Sequence, residues 1–394
     1  GFNNGNGTSA MFNTPYGIAI DSNNNIYITD RNNNCIRKID INGNVTTLAG
    51  VDPVTNMPYR DTLDTRNVGD FSDSNDQGTG ARFNEPYDLA IDSNDNIYVA
   101  DTGNNCIRKI DLSKNGTSGF VTTIAGTAGS LGRGLADSNT YGTGAKFRNP
   151  NGLAIDSNNN IYVADTNNNC IRKIDLSKNG TSGFVTTIAG ANTTGNTITA
   201  FQYGGFVDSG PDLNGNNSDV RFNYPQGVAI DRNDENIIYI ADSLNHCIRK
   251  INLSVGDMYT IGYVTTLVGA NTTSNTLDAY ENGDFADFPN ENGTDARFDH
   301  PHKIFIDSNN NIYVAEDYII RKITIPQPYF LKPHDIVIHP DGNSAYVSFE
   351  DDHTIRKLTF SDTIDSNTSI ITTSTIIAGQ SSISGSTDST GFRS

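Results

Sequence analysis

One position of a repeated motif carries the side chains best suited to bind a ligand. It is the residue that follows a proline in each of six copies, and its type varies around the set: Tyr16, Tyr87, Asn151, Gln226, His302 and His334. Phenol, amide and imidazole groups offer hydrogen bonds and flat apolar faces. Because the neighbouring positions vary far less, we predict that these six residues form a ligand-binding set.

The next position of the motif adds groups that can hold a metal ion. Two of its six members are acidic, Asp88 and Asp335, and the binding set itself contains His302 and His334. Imidazole and carboxylate groups are ligands of zinc and other divalent metals. One hypothesis is therefore a metal-dependent lyase or hydrolase that uses these four residues as ligands. Apart from that divalent metal, the sequence predicts no cofactor.

No pattern in the sequence pairs a nucleophile with a base. The chain lacks a G-x-S-x-G motif, and it has no glycine loop between a strand and a helix that would bind phosphate. The other histidines are scattered over the copies: His246, His300, His339 and His353. The sequence therefore favours a non-enzymatic binding or scaffold protein whose ligand is a protein or a glycan.

These positions belong to a unit that occurs six times and must place them. The copies begin at Phe12, Phe83, Phe147, Phe222, Phe298 and Phe330, and the first reads FNTPYGIAIDSNNNIYITDRNNNCIRKIDINGNVTTLAG. Self-similarity over a long period indicates a solenoid or a propeller. Each copy has four short β-branched and aromatic runs between Asn, Asp, Ser and Gly turns. We therefore predict an all-β fold, a six-bladed β-propeller of antiparallel four-stranded blades.

The pattern F-x-x-P-x-G-(I/L/V)-A-I-D, followed by N-I-Y-(I/V)-(T/A)-D, N-x-C-I-R-K-I and V-T-T-(L/I)-(A/V)-G, resembles the NHL repeat. The resemblance extends over residues 12–394 and implies a six-bladed propeller, so we expect one domain over 1–394. It implies no single activity, because NHL propellers include protein-binding, RNA-binding and lyase members. The amidating lyases among them hold a metal through several histidines of the central channel. Here only two of the six residues of the binding set are histidine, His302 and His334.

The alternation of strand direction predicts which face carries the site. The loop into the first strand and the turn between the second and third strands share one face. Four long segments leave from that same face: 51–82, 127–146, 191–221 and 270–297. Connections of this length are usually functional or disordered. We expect the ligand to bind on this long-loop face, at the mouth of the central channel.

Two copies differ at their ends. Only TIPQPY separates Ile323 from Phe330, which predicts that blade 5 is shortened and has an exposed edge. Residues 1–11 resemble the ends of the long loops and residues 385–394 resemble their beginnings. We therefore expect the two chain ends to lie close together and blade 6 to pack on blade 1.

Two further carboxylates in each copy have structural interpretations. Asp21-x-Asn23-x-Asn25 resembles the start of a calcium loop but lacks its glycine and distal glutamate, so we expect a hairpin turn. The second strand of each copy ends in an acid that we expect to accept backbone hydrogen bonds from the following turn. The arginines equivalent to Arg37 are expected to pair with acidic groups or to cover blade edges. The acids are Asp30, Asp101, Asp165, Asp242, Glu316 and Glu350.

The charge of the chain limits its partners. Among 394 residues, 27 Lys and Arg against 45 Asp and Glu give a net charge of −18. Such a field repels phosphate backbones, so we expect no nucleic-acid partner. No run of 18 apolar residues is present, so we expect no transmembrane segment. The four cysteines share one repeat position and would lie too far apart on separate blades for disulfides. We therefore expect free, half-buried thiols at Cys35, Cys106, Cys170 and Cys247.

The surface composition leaves the setting of the protein open. Ten Asn-x-Ser/Thr triplets, for example at Asn6 and Asn115, would be glycan acceptors on a secreted or surface-displayed chain, although an Asn-rich sequence also generates them by chance. A third hypothesis is therefore a structural subunit of a virion or an extracellular assembly. These triplets favour an extracellular or surface-displayed protein over a cytoplasmic one, whereas the oligomeric state follows from no feature of the sequence.

Overall fold

A computed structural model describes residues 1–50, 81–113, 120–126, 137–138, 142–177, 183–190, 221–253, 263–269 and 298–323, and four strands between 333 and 378. These residues belong to two compact units, Gly1–Ile323 and Thr324–Ser394. The long segments that were predicted to carry the binding face lie almost entirely outside the described ranges. No helix within these ranges is both long enough and apolar enough to cross a membrane.

The first unit contains five antiparallel sheets, one for each of the first five copies of the motif, and we number them blades 1 to 5. The strands of blade 1 are β1 (Gly5–Asn6), β2 (Pro15–Ile20), β3 (Ile26–Asp30), β4 (Cys35–Ile39) and β5 (Asn44–Ala49). Those of blade 2 are β6 (Pro86–Ile91), β7 (Ile97–Asp101), β8 (Cys106–Asp111) and β9 (Phe120–Ala125). Those of blade 3 are β10 (Pro150–Ile155), β11 (Ile161–Asp165), β12 (Cys170–Asp175) and β13 (Phe184–Gly190). Those of blade 4 are β14 (Pro225–Ile230), β15 (Ile237–Asp242), β16 (Cys247–Asn252) and β17 (Tyr263–Gly269), and those of blade 5 are β18 (Lys303–Ile306), β19 (Ile312–Ala315) and β20 (Ile320–Ile323).

Within each blade the strands pair in chain order, and β1 extends blade 1 by pairing with β5. In blades 1 to 4 a single 3-10 turn joins the second and third strands of the repeat: Arg31–Asn33, Thr102–Asn104, Thr166–Asn168 and Ser243–Asn245. Two further 3-10 turns cover Gly7–Ser9 and Gly142–Gly144. The second unit contains the sheet of the sixth copy, formed by β21 (Pro333–Ile338), β22 (Ser344–Phe349), β23 (Thr354–Ser361) and β24 (Ile370–Ala378).

The all-β antiparallel propeller class is confirmed, and the predicted count of six blades is corrected. Five blades pack in the first unit, whereas the sixth copy forms the sheet of the second unit. Blade 5 has three strands among the described residues. Residues 324–332, which would carry a fourth strand, lie outside the described ranges, so the predicted shortening of this blade stays a prediction. A single domain over 1–394, the meeting of the chain ends and the packing of blade 6 on blade 1 stay predictions.

A buried ion pair ties each of blades 1 to 4 together. In blade 2, Arg108 donates to Asp101 at 3.0 Å, and both side chains are inaccessible to solvent. Asp101 also accepts hydrogen bonds from the Asn84 backbone N–H at 2.8 Å and from the Asn104 amide at 2.9 Å. One carboxylate thus joins the loop into the first strand, the 3-10 turn and the third strand.

The same arrangement recurs around the unit and settles two of the sequence predictions. The equivalent pairs are Asp30–Arg37, Asp165–Arg172 and Asp242–Arg249, with Glu316–Arg321 at 3.6 Å in blade 5. The predicted pairing of the arginines with acids is confirmed. The acids do bind the following turn, through a side-chain amide such as that of Asn104 rather than through its backbone. Burial raises the pKa of the Asp101 carboxyl, and the positive charge of Arg108 opposes that rise.

The hairpin between the first two strands is closed by its own aspartate. In blade 1, Asp21 accepts backbone hydrogen bonds from Asn23 at 2.9 Å and Asn25 at 2.8 Å. Its second oxygen accepts from the Asn25 amide and from the hydroxyl of the buried Tyr27. Asn24 has a φ of 64°, a conformation that asparagine tolerates better than most residues. The predicted hairpin turn is confirmed, because the carboxylate is fully used by hydrogen bonds within the turn.

The four cysteines are free, as predicted, but they are fully buried rather than half-buried. Burial raises the pKa of Cys35 and Cys170, which keeps both as thiols. Thiols of this kind are poorly reactive, because the thiolate is the nucleophilic form.

Replacing Arg108 with methionine should destabilise the protein by about 3–5 kcal/mol, because the buried Asp101 carboxylate would lose its counter-charge. The matched control is Arg31→Met, since the side chains of the Arg31–Glu85 pair are 30% and 51% exposed and the pair is expected to contribute about 1 kcal/mol or less. Urea denaturation followed by circular dichroism measures both free energies of unfolding. Equal losses in the two variants would show that the buried pair does not stabilise the blade.

The hairpin aspartates should also give the fold an acid-sensitive contribution. The hydrogen bond from the Asn311 side chain holds the pKa of Asp307 below its ordinary value of 3.8. This stabilisation is therefore complete above that ordinary value and is lost as the pH falls through the lowered pKa of the folded state. We expect the difference in stability between the native chain and Asp307→Asn to shrink on acidification, as measured by urea denaturation at a series of pH values. A difference that grows as the pH falls would contradict this assignment.

Candidate ligand-binding site

The inner strands of the first unit, β2, β6, β10, β14 and β18, lie against one another in succession. Glycine allows the close approach at two of these contacts. A Cβ atom on Gly17 would lie 2.7 Å from the Asp88 Cα, and one on Gly152 would lie 2.0 Å from the Gln226 carbonyl oxygen. Each glycine directly follows a residue of the predicted binding set. The close approach of the inner strands thus brings the binding-set residues at their starts near one another.

Threonine hydroxyl groups in the second strand or in the 3-10 turn after it fix neighbouring inner strands to each other. The Thr29 hydroxyl donates to the Tyr87 carbonyl at 2.9 Å and accepts from the Gly17 N–H at 2.7 Å. The hydroxyl of Thr102 donates to the Pro150 carbonyl at 2.6 Å, across the next junction. Blade 3 repeats this with Thr166. These bonds fix the backbone at or beside Tyr16, Tyr87, Asn151 and Gln226.

Side chains of the binding set from four blades meet. The rings of Tyr16 and Tyr87 are 4.1 Å apart between centroids, and those of Tyr16 and His302 are 6.3 Å apart. The Tyr87 hydroxyl donates to the Gln226 side-chain oxygen at 2.5 Å, which joins blades 2 and 4. Asn151 lies at the start of the intervening inner strand and is 4% exposed. The five members in the first unit therefore lie along one end of the inner strands, while ligand binding by them stays a prediction.

A charged pair links blade 2 with blade 5 beside these residues. Lys303 donates to Asp88 at 2.5 Å, and the same carboxylate oxygen accepts from the Leu153 backbone N–H at 3.0 Å. The Asp88 side chain is 3% exposed and the Lys303 side chain 36%. We define the hub site as Tyr16, Tyr87, Asp88, Asn151, Gln226, His302 and Lys303.

Several polar atoms of the hub site are buried without a hydrogen-bond partner. They are the Asp88 Oδ1, Asn151 Oδ1 and His302 Nδ1 atoms. A buried polar atom left unpaired costs about 1–3 kcal/mol, so such atoms in a folded protein need an explanation. Tyr16, by contrast, is 41% exposed and presents its ring to solvent. The hub site thus combines unused hydrogen-bonding capacity with an exposed aromatic face.

The surroundings of Tyr87 in the hub site keep its phenol neutral. Burial, followed by the hydrogen bond with Tyr16, raises the pKa of Tyr87. The guanidinium of Arg31 lies 5.5 Å from the centre of the Tyr87 ring and 5.9 Å from that of Tyr16. Tyr87 therefore acts as a hydrogen-bond donor to Gln226 and not as a base.

The predicted metal set is divided by the structure. Asp88 is already in contact with the Lys303 ammonium group, which disfavours a second cation on that carboxylate. His302 belongs to the first unit, whereas His334 and Asp335 lie in β21 of the second unit, and their side chains are outside the described residues. The metal site as a whole stays a prediction.

Sequence reasoning missed two features of this region. The Asp88–Lys303 pair could have been found, because in the first unit these two residues replace the glycine that follows the binding-set residue and carry opposite charges. A group formed by His246, Asp299 and His300 was also missed, because these residues were treated as scattered. Comparing the register of neighbouring copies would have placed His246 beside His300.

Comparison with known proteins agrees with the class of fold defined by these sheets. The NHL repeat profile matches residues 12–39, 83–110, 147–174 and 222–251. The human NHL repeat-containing protein 2 is 25% identical over 328 residues, which cover 78% of this chain and 38% of the relative. The Arabidopsis thaliana protein SUPPRESSOR OF QUENCHING 1, chloroplastic, is 32% identical over 181 residues, which cover 45% of this chain and 15% of the relative. The first four copies of the motif are thus NHL repeats. The chain spans 38% or less of the length of these two relatives.

Among solved structures, the selenomethionine-substituted virginiamycin B lyase from Staphylococcus aureus is similar, with 16% identity and a TM-score of 0.39. The match covers 88% of this chain and 80% of the lyase.

A double-mutant cycle tests whether blades 2 and 5 meet at the hub site. Lys303→Met should destabilise the protein by about 1–3 kcal/mol, because it leaves the buried Asp88 carboxylate without its cation; the partial exposure of Lys303 keeps this below the cost of a fully buried pair. In the Asp88→Asn background the same substitution should cost much less, a coupling of about 1–3 kcal/mol. Free energies of unfolding for the four proteins give the coupling. Additive effects would show that the two side chains do not interact.

Proposed function

We propose that the chain is a non-enzymatic binding propeller that recognises a protein or glycan ligand through the hub site. The observation that carries the proposal is the set of buried, unpaired polar atoms on Asp88, Asn151 and His302. The first two are oxygen acceptors, so the ligand should supply hydrogen-bond donors. Hydroxyl groups of a sugar and amide or ammonium groups of a peptide both meet this requirement.

The aromatic face supports the same proposal. Tyr16 is exposed over 41% of its surface, packs on Tyr87 and lies beside His302. Tyrosine supplies a large contact area at low cost in conformational entropy, and it is frequent among residues that dominate binding energy. A sugar ring or an apolar side chain could stack on this face while its polar groups reach the unpaired atoms below.

The proposal is tested by ligand capture followed by substitution. A glycan array and a peptide library, screened with the native chain, separate the two ligand classes. Any ligand found should bind Tyr16→Ala/His302→Ala about 30-fold more weakly, the effect of losing roughly 2 kcal/mol from a central aromatic contact. Ile20→Ala is the matched control, since Ile20 is 58% exposed on the same strand as Tyr16 and outside the hub site. Full affinity in the double variant, or an equal loss in the control, would place the site elsewhere.

A further inference from the structure

The junctions between consecutive blades share a hydrogen bond that is built from the end of the 3-10 turn. At the first three junctions, an asparagine with positive φ accepts a hydrogen bond from the backbone N–H of the residue before the proline of the next blade. The side-chain oxygens of Asn34, Asn105 and Asn169 accept at 2.8 Å in every case. We call this contact the junction hydrogen bond.

The fourth junction, between blades 4 and 5, departs from this pattern. His246 replaces the asparagine and keeps its left-handed backbone, with a φ of 53°. The residue before the next proline is His300, whose N–H lies 3.5 Å from the His246 Nδ1 atom. The junction hydrogen bond is therefore at the limit of a hydrogen bond here, 0.7 Å longer than the 2.8 Å seen at the other three. Two imidazole rings at this junction weaken a contact that asparagine makes well.

Metal-ligating groups surround these two rings. The rings stand edge to face with their centres 4.8 Å apart. Asp299 contacts the His300 Nδ1 atom at 2.7 Å, and Asp317 lies 3.9 Å from the same atom. One ligand atom from each of His246, Asp299 and His300 lies within 4.8 Å of the others. Two imidazoles and a carboxylate form a donor set that suits zinc and related divalent metals.

We propose that His246, His300 and Asp299 bind a divalent transition metal ion of the zinc class at the junction of blades 4 and 5, with Asp317 in reach as a further oxygen ligand. The ion would connect the 3-10 turn of blade 4 to the first loop of blade 5. It would thereby strengthen the junction where the asparagine contact is replaced. Blade 5 has three strands among the described residues, so a cross-link to its neighbour would stabilise the smallest sheet of the first unit.

The partial exposure of these side chains allows the ligands to adjust to an ion. The side chains of His300, Asp299 and Asp317 are 44%, 30% and 48% exposed, so their rotamers are not fixed by packing. Tetrahedral zinc with bonds of about 2.0–2.2 Å separates its ligand atoms by roughly 3.3–3.5 Å. The present spacings lie on both sides of this range, and small side-chain rotations can reach it. The net charge of −18 further favours a bound cation.

The site is distinct from the hub site and from the cysteines. His302 belongs to the inner strand region, and none of the proposed ligands is part of the hub site. The four thiols are buried with no accessible surface, so they do not compete for an added ion. Zinc binding at a single position can therefore be assigned by histidine substitution.

The experiment is an isothermal titration of the chelator-treated full chain with Zn²⁺ alone. We expect one ion per chain and a rise in the melting temperature of the native protein with zinc. His246→Asn and His300→Asn should each weaken zinc binding about 100-fold or more, and should remove the rise in melting temperature. Both variants are expected to fold, because asparagine occupies the equivalent positions at Asn34 and Asn149, and circular dichroism checks this.

The histidine of the hub site provides the matched control. His302→Asn should bind zinc with native affinity, because His302 is not among the ligands proposed at this junction. Absence of a one-to-one binding event in the native chain would overturn the proposal. Retention of native affinity in His246→Asn, or its loss in His302→Asn, would overturn it as well and would place any ion elsewhere. None of these outcomes depends on the ligand proposed for the hub site.

Discussion

The structure depends on a charge pair that each of blades 1 to 4 buries completely. An arginine and an aspartate without access to water are stable only while each satisfies the other, so an altered strand register would leave a charge uncompensated. The aspartate also binds the backbone N–H at the start of the copy, as Asp101 does with Asn84. The proline and the binding-set residue follow within three positions, for example Pro86 and Tyr87. The repeated pair thus sets where each variable side chain begins, although it takes no part in the hub site itself.

A repeated framework of this kind allows non-identical residues to meet at one place. In the first unit, the side chain at the binding-set position changes from phenol to amide to imidazole. The buried pair of an arginine and an aspartate, by contrast, recurs, as in Asp101–Arg108 and Asp165–Arg172. The result is a group of side chains from separate blades in direct contact, such as Tyr87 with Gln226 and Asp88 with Lys303. The same logic applies at the junctions, where one change from asparagine to His246 alters the chemistry of a contact without changing the backbone.

Much of this arrangement follows from the periodicity of the sequence. The strands, the Asp21-type hairpins and the pairing of Arg37 with an acid are properties of one copy, and each copy reports on the others. Contacts between blades were less accessible, because they depend on how far one copy is rotated relative to the next. For that reason three such contacts were not predicted. They are the hydrogen bond of Thr29 to the Tyr87 carbonyl, the Asp88–Lys303 pair and the proximity of His246 to His300. The division of the blades between two units was also not evident, since the sixth copy resembles the other five.

The central claim is that side chains far apart in the sequence meet at the hub site. The most direct measurement is chemical cross-linking of a Tyr87→Cys/Gln226→Cys variant with a short bismaleimide, followed by peptide mass spectrometry. The four native thiols are buried, so they should not react in the folded protein. The account predicts an intramolecular link between the peptides that carry positions 87 and 226. Separate modification of both cysteines without a link would contradict it.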